Sequence, residues 1–287
     1  DFVPKGATFT GKRKRARSTM LRVANCLLGE DLGDDTLIIG TSGRYEFKNK
    51  GIDVFLESLN RLNRDKDLKK KVLAFVNVPS WVGDPREDLQ KRLKSKDKFT
   101  EPLQCPFITH WLHNMTHDQV LDMLKYLGMG NRPEDKVKVI FVPCYQDGHD
   151  GILNKHYYDL ILGEDLSVYP SYYEPWGYTP LESVAFRVPT ITTDLAGFGL
   201  WVNSLKNQHG INDGVEVLHR SDYNYSEVAD GIKDTVALFS TKTEAEIKEI
   251  RKRAGQVAEQ ALWKHFIQYY YEAYDIALRN AMKRQLK

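Results

Sequence analysis

Short, nearly continuous runs of apolar and β-branched residues are the feature that most restricts how this chain can fold. Three of them cover residues 36–40 (TLIIG), 72–78 (VLAFVNV) and 137–143 (VKVIFVP). Near-continuous apolar strands occur where both faces of a sheet are covered, as in parallel sheets flanked by helices. The runs therefore predict buried strands of a parallel sheet.

Patterns with a helical period separate these runs. Residues 11–30 predict a lead-in helix. Residues 52–63 (IDVFLESLNRLN) predict a second helix, capped by Asn49. Residues 116–128 (THDQVLDMLKYLG) predict a third helix, which Thr116 caps and Gly128 ends. The charged segment 79–106 predicts a surface helix or an irregular excursion near residues 86–99. Further along, residues 166–171, 188–194 and 214–220 predict strands, and residues 179–186 a helix.

This alternation of strands and helices predicts an α/β fold with a Rossmann-like, doubly wound parallel sheet. We divide the chain into a linker and lead-in helix (1–35), the Rossmann-like domain (36–242) and a long C-terminal helical segment (243–287). An aromatic stripe in the last segment is more typical of packing than of a ligand site; it comprises Trp263, Phe266, Tyr270 and Tyr274.

Composition excludes several classes of protein. A net charge of +2 gives no argument for nucleic acid, and we interpret the basic cluster Lys12, Arg13, Lys14, Arg15 and Arg17 as a solvated helix face. No apolar run approaches the ~18 residues of a membrane span. The three cysteines lack zinc-site spacing, which favours a reducing compartment and a cytoplasmic protein. The opening DFVPKGATF is typical of a chain already in progress.

Two places at the carboxyl ends of the strands carry candidate binding residues, because ligands of doubly wound sheets bind there. Arg44 and Lys50 follow the first strand and could neutralise a diphosphate, although two ordinary surface cations would look the same. Thr179 and Pro180 begin a helix whose amide-rich start favours an anion such as phosphate.

Glu174 and Glu182 flank the sequence PWGYTP in the same stretch. Eight helical steps would separate them by roughly 12 Å, more than the ~5 to ~9.5 Å of glycosidase carboxylate pairs. This disfavours a paired-carboxylate hydrolase and favours separate tasks, with Glu182 on a ribose and Glu174 on a transferred group. Alternatively, neither residue binds a ligand: one of the two would be a buried glutamate that caps a helix, and the other an exposed surface glutamate.

Long motifs resemble the animal and fungal type of glycogen synthase, a retaining glycosyltransferase of the GT-B fold. They are SYYEPWGYTP (171–180), GRYEFKNKGIDVFLESLNRLN (43–63) and DKVKVIFVP (135–143), and the similarity continues through THDQVLDMLKYLG and LAGFG to the final helix. The resemblance implies a C-terminal, donor-binding half of a GT-B enzyme. That enzyme would transfer glucose from UDP-glucose to the non-reducing end of an α-1,4-glucan.

The resemblance also implies residue roles. Arg44 and Lys50 would hold the donor diphosphate, Glu174 would face the glucose and stabilise the cationic transition state, and Glu182 would bind ribose. The remaining donor-binding positions would be Tyr157, stacked on uracil, and Trp176, Gly177, Tyr178 and Thr179 near the phosphates. The leaving phosphate would act as the base, and neither a metal nor a cofactor would be needed.

Two departures from the family pattern limit these expectations. The chain contains no Gly-Gly pair and no N-terminal half, so we expect the chain alone to be inactive. The region EIKEIRKRAGQVAEQALW has only Arg251 and Arg253 where animal and fungal members carry a dense arginine cluster, which leaves glucose 6-phosphate regulation open. A metal on His110, His113 and His117 would require one shared helix.

Two further functions remain as alternatives. One is another retaining GT-B transferase with a different donor or acceptor, and the sequence leaves open whether the donor nucleotide is UDP or ADP. The other is a non-catalytic module that binds a nucleotide sugar or a glucan. Expected partners are a nucleotide sugar and an α-glucan, without nucleic acid or membrane, and homo-oligomer formation is left open.

Overall fold

The computed structural model describes residues 3–206 and 208–285 and contains eight strands. They are β1 (Leu37–Ser42), β2 (Val72–Asn77), β3 (Val82–Pro85), β4 (His110–Leu112), β5 (Val137–Val142), β6 (Leu166–Val168), β7 (Thr190–Thr193) and β8 (Val215–Leu218). Six of them form a parallel sheet in the order β5-β2-β1-β6-β7-β8. The predicted doubly wound parallel sheet is confirmed.

Ten helices accompany the strands in the described part of the chain. They are α1 (Gly6–Leu28), α2 (Ile52–Asn63), α3 (Glu87–Lys94), α4 (Gln119–Tyr126), α5 (Tyr157–Leu160), α6 (Tyr178–Ala185), α7 (Gly197–Ser204), α8 (Tyr225–Ser240), α9 (Glu244–Gln260) and α10 (Trp263–Gln285). Short 3₁₀ turns occur at Ile161–Gly163 and Ile211–Asp213. None of these helices is both long and apolar enough to cross a membrane.

Alternate residues of the central strands enter different cores, which explains why the strands are apolar throughout. Leu37 and Ile39 of β1 pack with α2, α4 and α8 on one face of the sheet. Ile38, between them, packs with α1 and α3 on the other face. Since both faces are covered, polar residues are excluded from nearly every position of β1, β2 and β5.

The chain reverses its direction of winding between β1 and β6. From β1 it proceeds to β2 and β5 on one side, and β6, β7 and β8 then extend the sheet on the other side. Crossovers diverge at such a point and leave a crevice beyond the carboxyl ends of the strands. The candidate site lies at this crevice.

Both sequence-predicted helix caps are wrong. Helix α2 begins after Gly51, whose φ is 67°, while the Asn49 side chain donates to Glu46. Helix α4 is capped by Asp118, which accepts from the backbone amides of Val120 and Leu121. Tyr45, distant in sequence, fixes the Asp118 carboxylate with a 2.8 Å hydrogen bond. Tertiary contacts therefore decide where these helices begin.

The segment 79–106 holds more than a surface helix. Besides α3 it contributes β3, which pairs antiparallel with β4.

The basic cluster of α1 also differs from the solvated face that we expected. Arg13 and Arg17 are largely buried and form ion pairs with Asp165 at 2.5 and 2.7 Å. These two cations therefore attach α1 to the domain.

The C-terminal segment consists of two helices. The break falls at Ala261 and Leu262, between α9 and α10. Helix α9 packs against α6, whereas α10 leaves most of its aromatic residues exposed, including Trp263, Tyr270 and Tyr274. The aromatic stripe thus contributes to packing mainly through Phe266, described below.

Candidate functional site

A cavity of about 420 Å³ lies at the crevice where the sheet reverses direction. Its walls come from the residues that follow β1, β2 and β5, together with the start of α5 and of α6. The lining residues are Ser42, Gly43, Arg44, Asn77, Pro79, Cys144, Tyr145, Gln146, Asp147, Tyr157 and Thr179. Three residues predicted from the sequence, Arg44, Tyr157 and Thr179, are therefore brought to one cavity.

Hydrogen-bonded hydroxyl groups line the inner wall of this cavity. The hydroxyl of Tyr157 lies 2.8 Å from Ser42 Oγ, and Tyr169 Oη lies 3.4 Å from both. Burial raises the pKa of Tyr157 well above its ordinary value, so this phenol stays neutral. The network fixes the position of the Tyr157 ring at the cavity wall.

Helix α6 starts beside the cavity in a conformation that favours glycine. Gly177 precedes the helix with φ 101°, and no side chain caps this end within the described structure. Thr179 lies in the first turn, where backbone amides and the helix dipole attract an anion. Tyr178 next to it is exposed. The geometry is compatible with the predicted phosphate site.

The three residues predicted to be catalytic occupy two different environments. Arg44 is exposed at the cavity wall and forms an ion pair with Glu46 at 2.9 Å. Lys50 and Glu174 are largely buried and form an ion pair with each other, with side chains 15% and 19% exposed. Neither of them lines the cavity of Arg44. The structure therefore joins Lys50 to Glu174 directly, a contact that the sequence did not indicate.

Glu182 is a residue of α6, and its side chain contacts α5. It accepts a 2.8 Å hydrogen bond from the hydroxyl of Tyr158. Burial raises the pKa of Glu182, and the hydrogen bond from Tyr158 partly opposes this effect. Because Glu182 does not line the cavity, its assignment to a ribose stays a prediction.

Trp176 belongs to an aromatic cluster that joins the segment before α6 to α7 and α10. Its ring centroid lies 6.1 Å from Phe198, 5.9 Å from Trp201 and 5.4 Å from Phe266. Phe266 belongs to α10, so this cluster attaches the last helix to the domain. The side chain of Trp176 is committed to packing, and the carbonyl of this residue accepts from the amide of Phe198 at 2.6 Å.

Sequence reasoning missed several residues that line the cavity. Ser42 and Asn77 end β1 and β2, and Gln146 donates to Asn77 Oδ1 at 2.8 Å. Their position at the carboxyl ends of predicted strands was a usable signal, because the carboxyl ends of parallel strands meet at one edge. Gln146 and Asp147 follow β5 within a few residues and could have been found in the same way.

His110, His113 and His117 do not lie on one helix, which is the arrangement that a shared metal would require. His110 is in β4, and its ring nitrogens lie 2.7 Å from the Asp150 carbonyl and 2.9 Å from Thr109 Oγ1. The Asp150 carboxylate and the Cys144 sulfur lie within 4.8 Å of a ring nitrogen. Burial raises the pKa of Cys144 to about 12, which keeps its thiol protonated. We assign His110 a structural role.

The sequence is similar to one known family. The family model described as glycogen synthase matches residues 27–91 and 84–287. The chain belongs to the glycogen synthase family. Glycogen [starch] synthase isoform 2 of Saccharomyces cerevisiae is 29% identical over 88% of this chain and 44% of its own length. The protein of Neurospora crassa is 28% identical over 86% and 42%, and that of Caenorhabditis elegans 32% identical over 65% and 35%.

This member of the glycogen synthase family spans less than half the length of those relatives. Among solved structures, the catalytic domain of Starch Synthase IV from Arabidopsis thaliana superposes with a TM-score of 0.53 at 11% identity. The match covers 95% of this chain and 44% of that chain. At this identity the likeness concerns the fold alone, and it confirms the expected GT-B type of parallel sheet.

Proposed function

We propose that this chain is the donor-binding portion of a retaining glycosyltransferase that transfers glucose from UDP-glucose to the non-reducing end of an α-1,4-glucan. Membership of the glycogen synthase family supports the reaction class. The observation that carries the proposal is the convergence of Arg44, Tyr157 and the start of α6 on one cavity at the reversal point of the sheet.

The cavity provides the chemistry that a nucleoside diphosphate requires. Tyr157 offers a ring for a base, and Thr179 with the first turn of α6 offers hydrogen-bond donors for phosphate oxygens. Arg44 adds a forked cation at the wall. The Starch Synthase IV domain with the same fold was solved bound to ADP and acarbose, a nucleoside diphosphate and a saccharide.

Lys50 and Glu174 carry the reaction step in this proposal. When the donor binds, Lys50 exchanges Glu174 for a phosphate oxygen, and its charge stabilises the negative charge that develops on the leaving phosphate. The released Glu174 carboxylate then faces the glucose and stabilises positive charge at the sugar carbon. Protein cations rather than a metal neutralise the diphosphate.

Thermal protection by UDP tests the donor site. Wild-type chain should be stabilised by UDP in the presence of EDTA. Arg44→Ala with Lys50→Ala should weaken UDP binding by about 150-fold or more, because the two charge-assisted hydrogen bonds contribute about 1.5–3 kcal/mol each. UDP should be compared with ADP to identify the base.

A matched control removes the same two charges at the opposite edge of the sheet. Arg64 and Lys69 are exposed and precede β2, so Arg64→Ala with Lys69→Ala should leave the UDP affinity as in the wild type. Equal UDP affinity in the Arg44/Lys50 variant and the wild type would refute the assignment. We expect no glucose transfer by this chain alone, since its relatives are more than twice as long.

A further inference from the structure

Two side-chain amides lie together in the wall of the donor cavity, the cavity of about 420 Å³ that Arg44, Tyr157 and Thr179 also line. Asn77 is the last residue of β2, and Gln146 lies in the loop that follows β5. Gln146 Nε2 donates to Asn77 Oδ1 at 2.8 Å. The strands β2 and β5 are neighbours in the sheet, so the two amides meet where adjacent strands end.

The bond between the two amides leaves part of their hydrogen-bonding capacity unused. Each amide has a carbonyl oxygen that accepts and an NH₂ group that donates two hydrogens. Gln146 Oε1 and Asn77 Nδ2 make no hydrogen bond to any residue in the described ranges 3–206 and 208–285. The pair therefore presents one acceptor and one donor group side by side at the cavity.

The loop after β5 also holds Tyr157 beside the amides. The backbone amide of Tyr157 donates to the carbonyl of Gln146 at 3.0 Å, and Asp147 and His156 form an antiparallel bridge next to this bond. At the far end of the side chain, the hydroxyl of Tyr157 lies 2.8 Å from Ser42 Oγ. In the proposed function a base packs on the Tyr157 ring, and the edge of this base then comes close to the two amides.

The amides are set apart from the groups that attract phosphate. Arg44 follows β1, and Thr179 lies in α6, which follows β6, whereas the amides belong to the ends of β2 and β5. Neighbouring strands are ~4.8 Å apart, so in the order β5-β2-β1-β6 the ends of β2 and β5 lie about 5 and 10 Å from the end of β1. One side of the cavity therefore suits a diphosphate, and the amide pair on the other side suits an uncharged group.

A nucleobase matches the free groups of the amide pair better than a phosphate does. Ionised phosphate oxygens only accept hydrogen bonds, so a phosphate would leave Gln146 Oε1 without a donor. Amide side chains read base edges because they offer a donor and an acceptor together. Uracil presents the carbonyl oxygen O4 beside the donor N3–H. Asn77 Nδ2 can donate to O4 while Gln146 Oε1 accepts from N3–H.

We propose that Asn77 and Gln146 determine which base the nucleotide carries, by binding the edge of uracil with one donor and one acceptor. The choice of uracil rests on the proposed function, whereas the reading of a base edge by this amide pair does not. The two side chains contact neither the phosphates nor the transferred sugar. If the amides only tied β2 to β5, nucleotide affinity would not depend on the identity of the base.

Calorimetric titration of the 287-residue chain with UDP, CDP and inorganic pyrophosphate tests this inference. Cytosine has the size of uracil but carries an amino group in place of O4, and pyrophosphate has no base. Asn77→Asp keeps the shape of the side chain and replaces the donor by an acceptor, which suits the cytosine amino group. The ratio of UDP affinity to CDP affinity should therefore fall about tenfold or more. The added negative charge acts equally on both nucleotides and cancels in this ratio.

A second variant removes the acceptor without adding a charge. Gln146→Leu should weaken UDP binding about threefold or more, because one hydrogen bond to the base is lost, and should leave pyrophosphate binding as in the wild type. The matched control is Asn203→Asp, at an exposed position of α7 outside the cavity, which should keep the wild-type ratio of UDP to CDP affinity. Thermal unfolding followed by circular dichroism reports whether each variant is folded.

The outcomes separate this inference from the proposed function. An unchanged ratio of UDP to CDP affinity in folded Asn77→Asp overturns the inference. If that variant does not fold, Gln146→Leu decides, and equal effects on UDP and pyrophosphate overturn the inference. A wild-type chain that binds CDP more tightly than UDP contradicts the proposed donor, while a shifted ratio in Asn77→Asp would still support base reading. A wild-type chain that binds no nucleotide overturns both.

Discussion

Replacement of Glu164 by glutamine should remove a large part of the pH dependence of folding. Glu164 is 4% exposed, accepts from Ser167 Oγ at 2.5 Å and lies against the backbone of Gly40. Burial raises its pKa from 4.5 to about 8, and the neighbouring Asp165 adds to the effect. The folded protein therefore holds a proton on Glu164 at neutral pH.

The sign of the effect follows from proton binding. Between about pH 4.5 and pH 8 the folded state binds one proton more than the unfolded chain at Glu164, so stability falls as pH rises through this window. One pKa unit corresponds to about 1.4 kcal/mol, so the full difference is about 4–5 kcal/mol. Most of it, about 3–4 kcal/mol, is lost between pH 5 and pH 8.

Urea unfolding followed by circular dichroism from pH 5 to pH 8.5 measures this contribution. Glu164→Gln keeps an oxygen that accepts from Ser167 and stays neutral. The free energy of unfolding of the wild type, minus that of the variant, should fall by about 3–4 kcal/mol between pH 5 and pH 8. Asp194 raises the pKa of His219. Because His219 is present in both proteins, its contribution to the pH dependence cancels in the difference. Glu259→Gln, at an exposed position of α9, is the matched control. A difference that stays flat across this range would refute the reasoning.

Two structural predictions concern the C-terminal helices. Thr243→Ala removes the capping box with Glu246 at the start of α9 and should lower the free energy of unfolding by about 1 kcal/mol, as measured in urea. Thr116→Ala, at the residue wrongly expected to cap α4, should cost less than about 0.5 kcal/mol, and equal losses would contradict this reading. Phe266→Ala removes the ring that contacts Trp176 and Trp201, so protease cleavage within α10 should accelerate about 30-fold if about 2 kcal/mol of docking energy is lost. The exposed Tyr274→Ala should leave the cleavage rate as it is.

The central sheet was predictable because its strands obey a strong local rule. Both faces of β1, β2 and β5 are buried, so their sequences are mostly apolar, and each strand was located to within two residues. Helix ends were less predictable. Gly51 and Asp118 start α2 and α4 through backbone geometry and a contact with Tyr45, which no local pattern reveals.

The candidate site was predictable only in part. Arg44 and Thr179 were found because they follow a strand and begin a helix, and motif resemblance added Tyr157. The pairing of Lys50 with Glu174 spans 124 residues, and the sequence contains no sign of it.

The ion pair between Lys50 and Glu174 acts as an internal competitor in the proposed reaction. In the proposed reaction, a diphosphate reaches Lys50 only by displacing a carboxylate already in place, which offsets part of the attraction. After transfer, Glu174 can take the ammonium group back and so promote departure of the spent nucleotide. Such a site holds its donor less tightly and turns over faster, because product dissociation limits the rate of many enzymes.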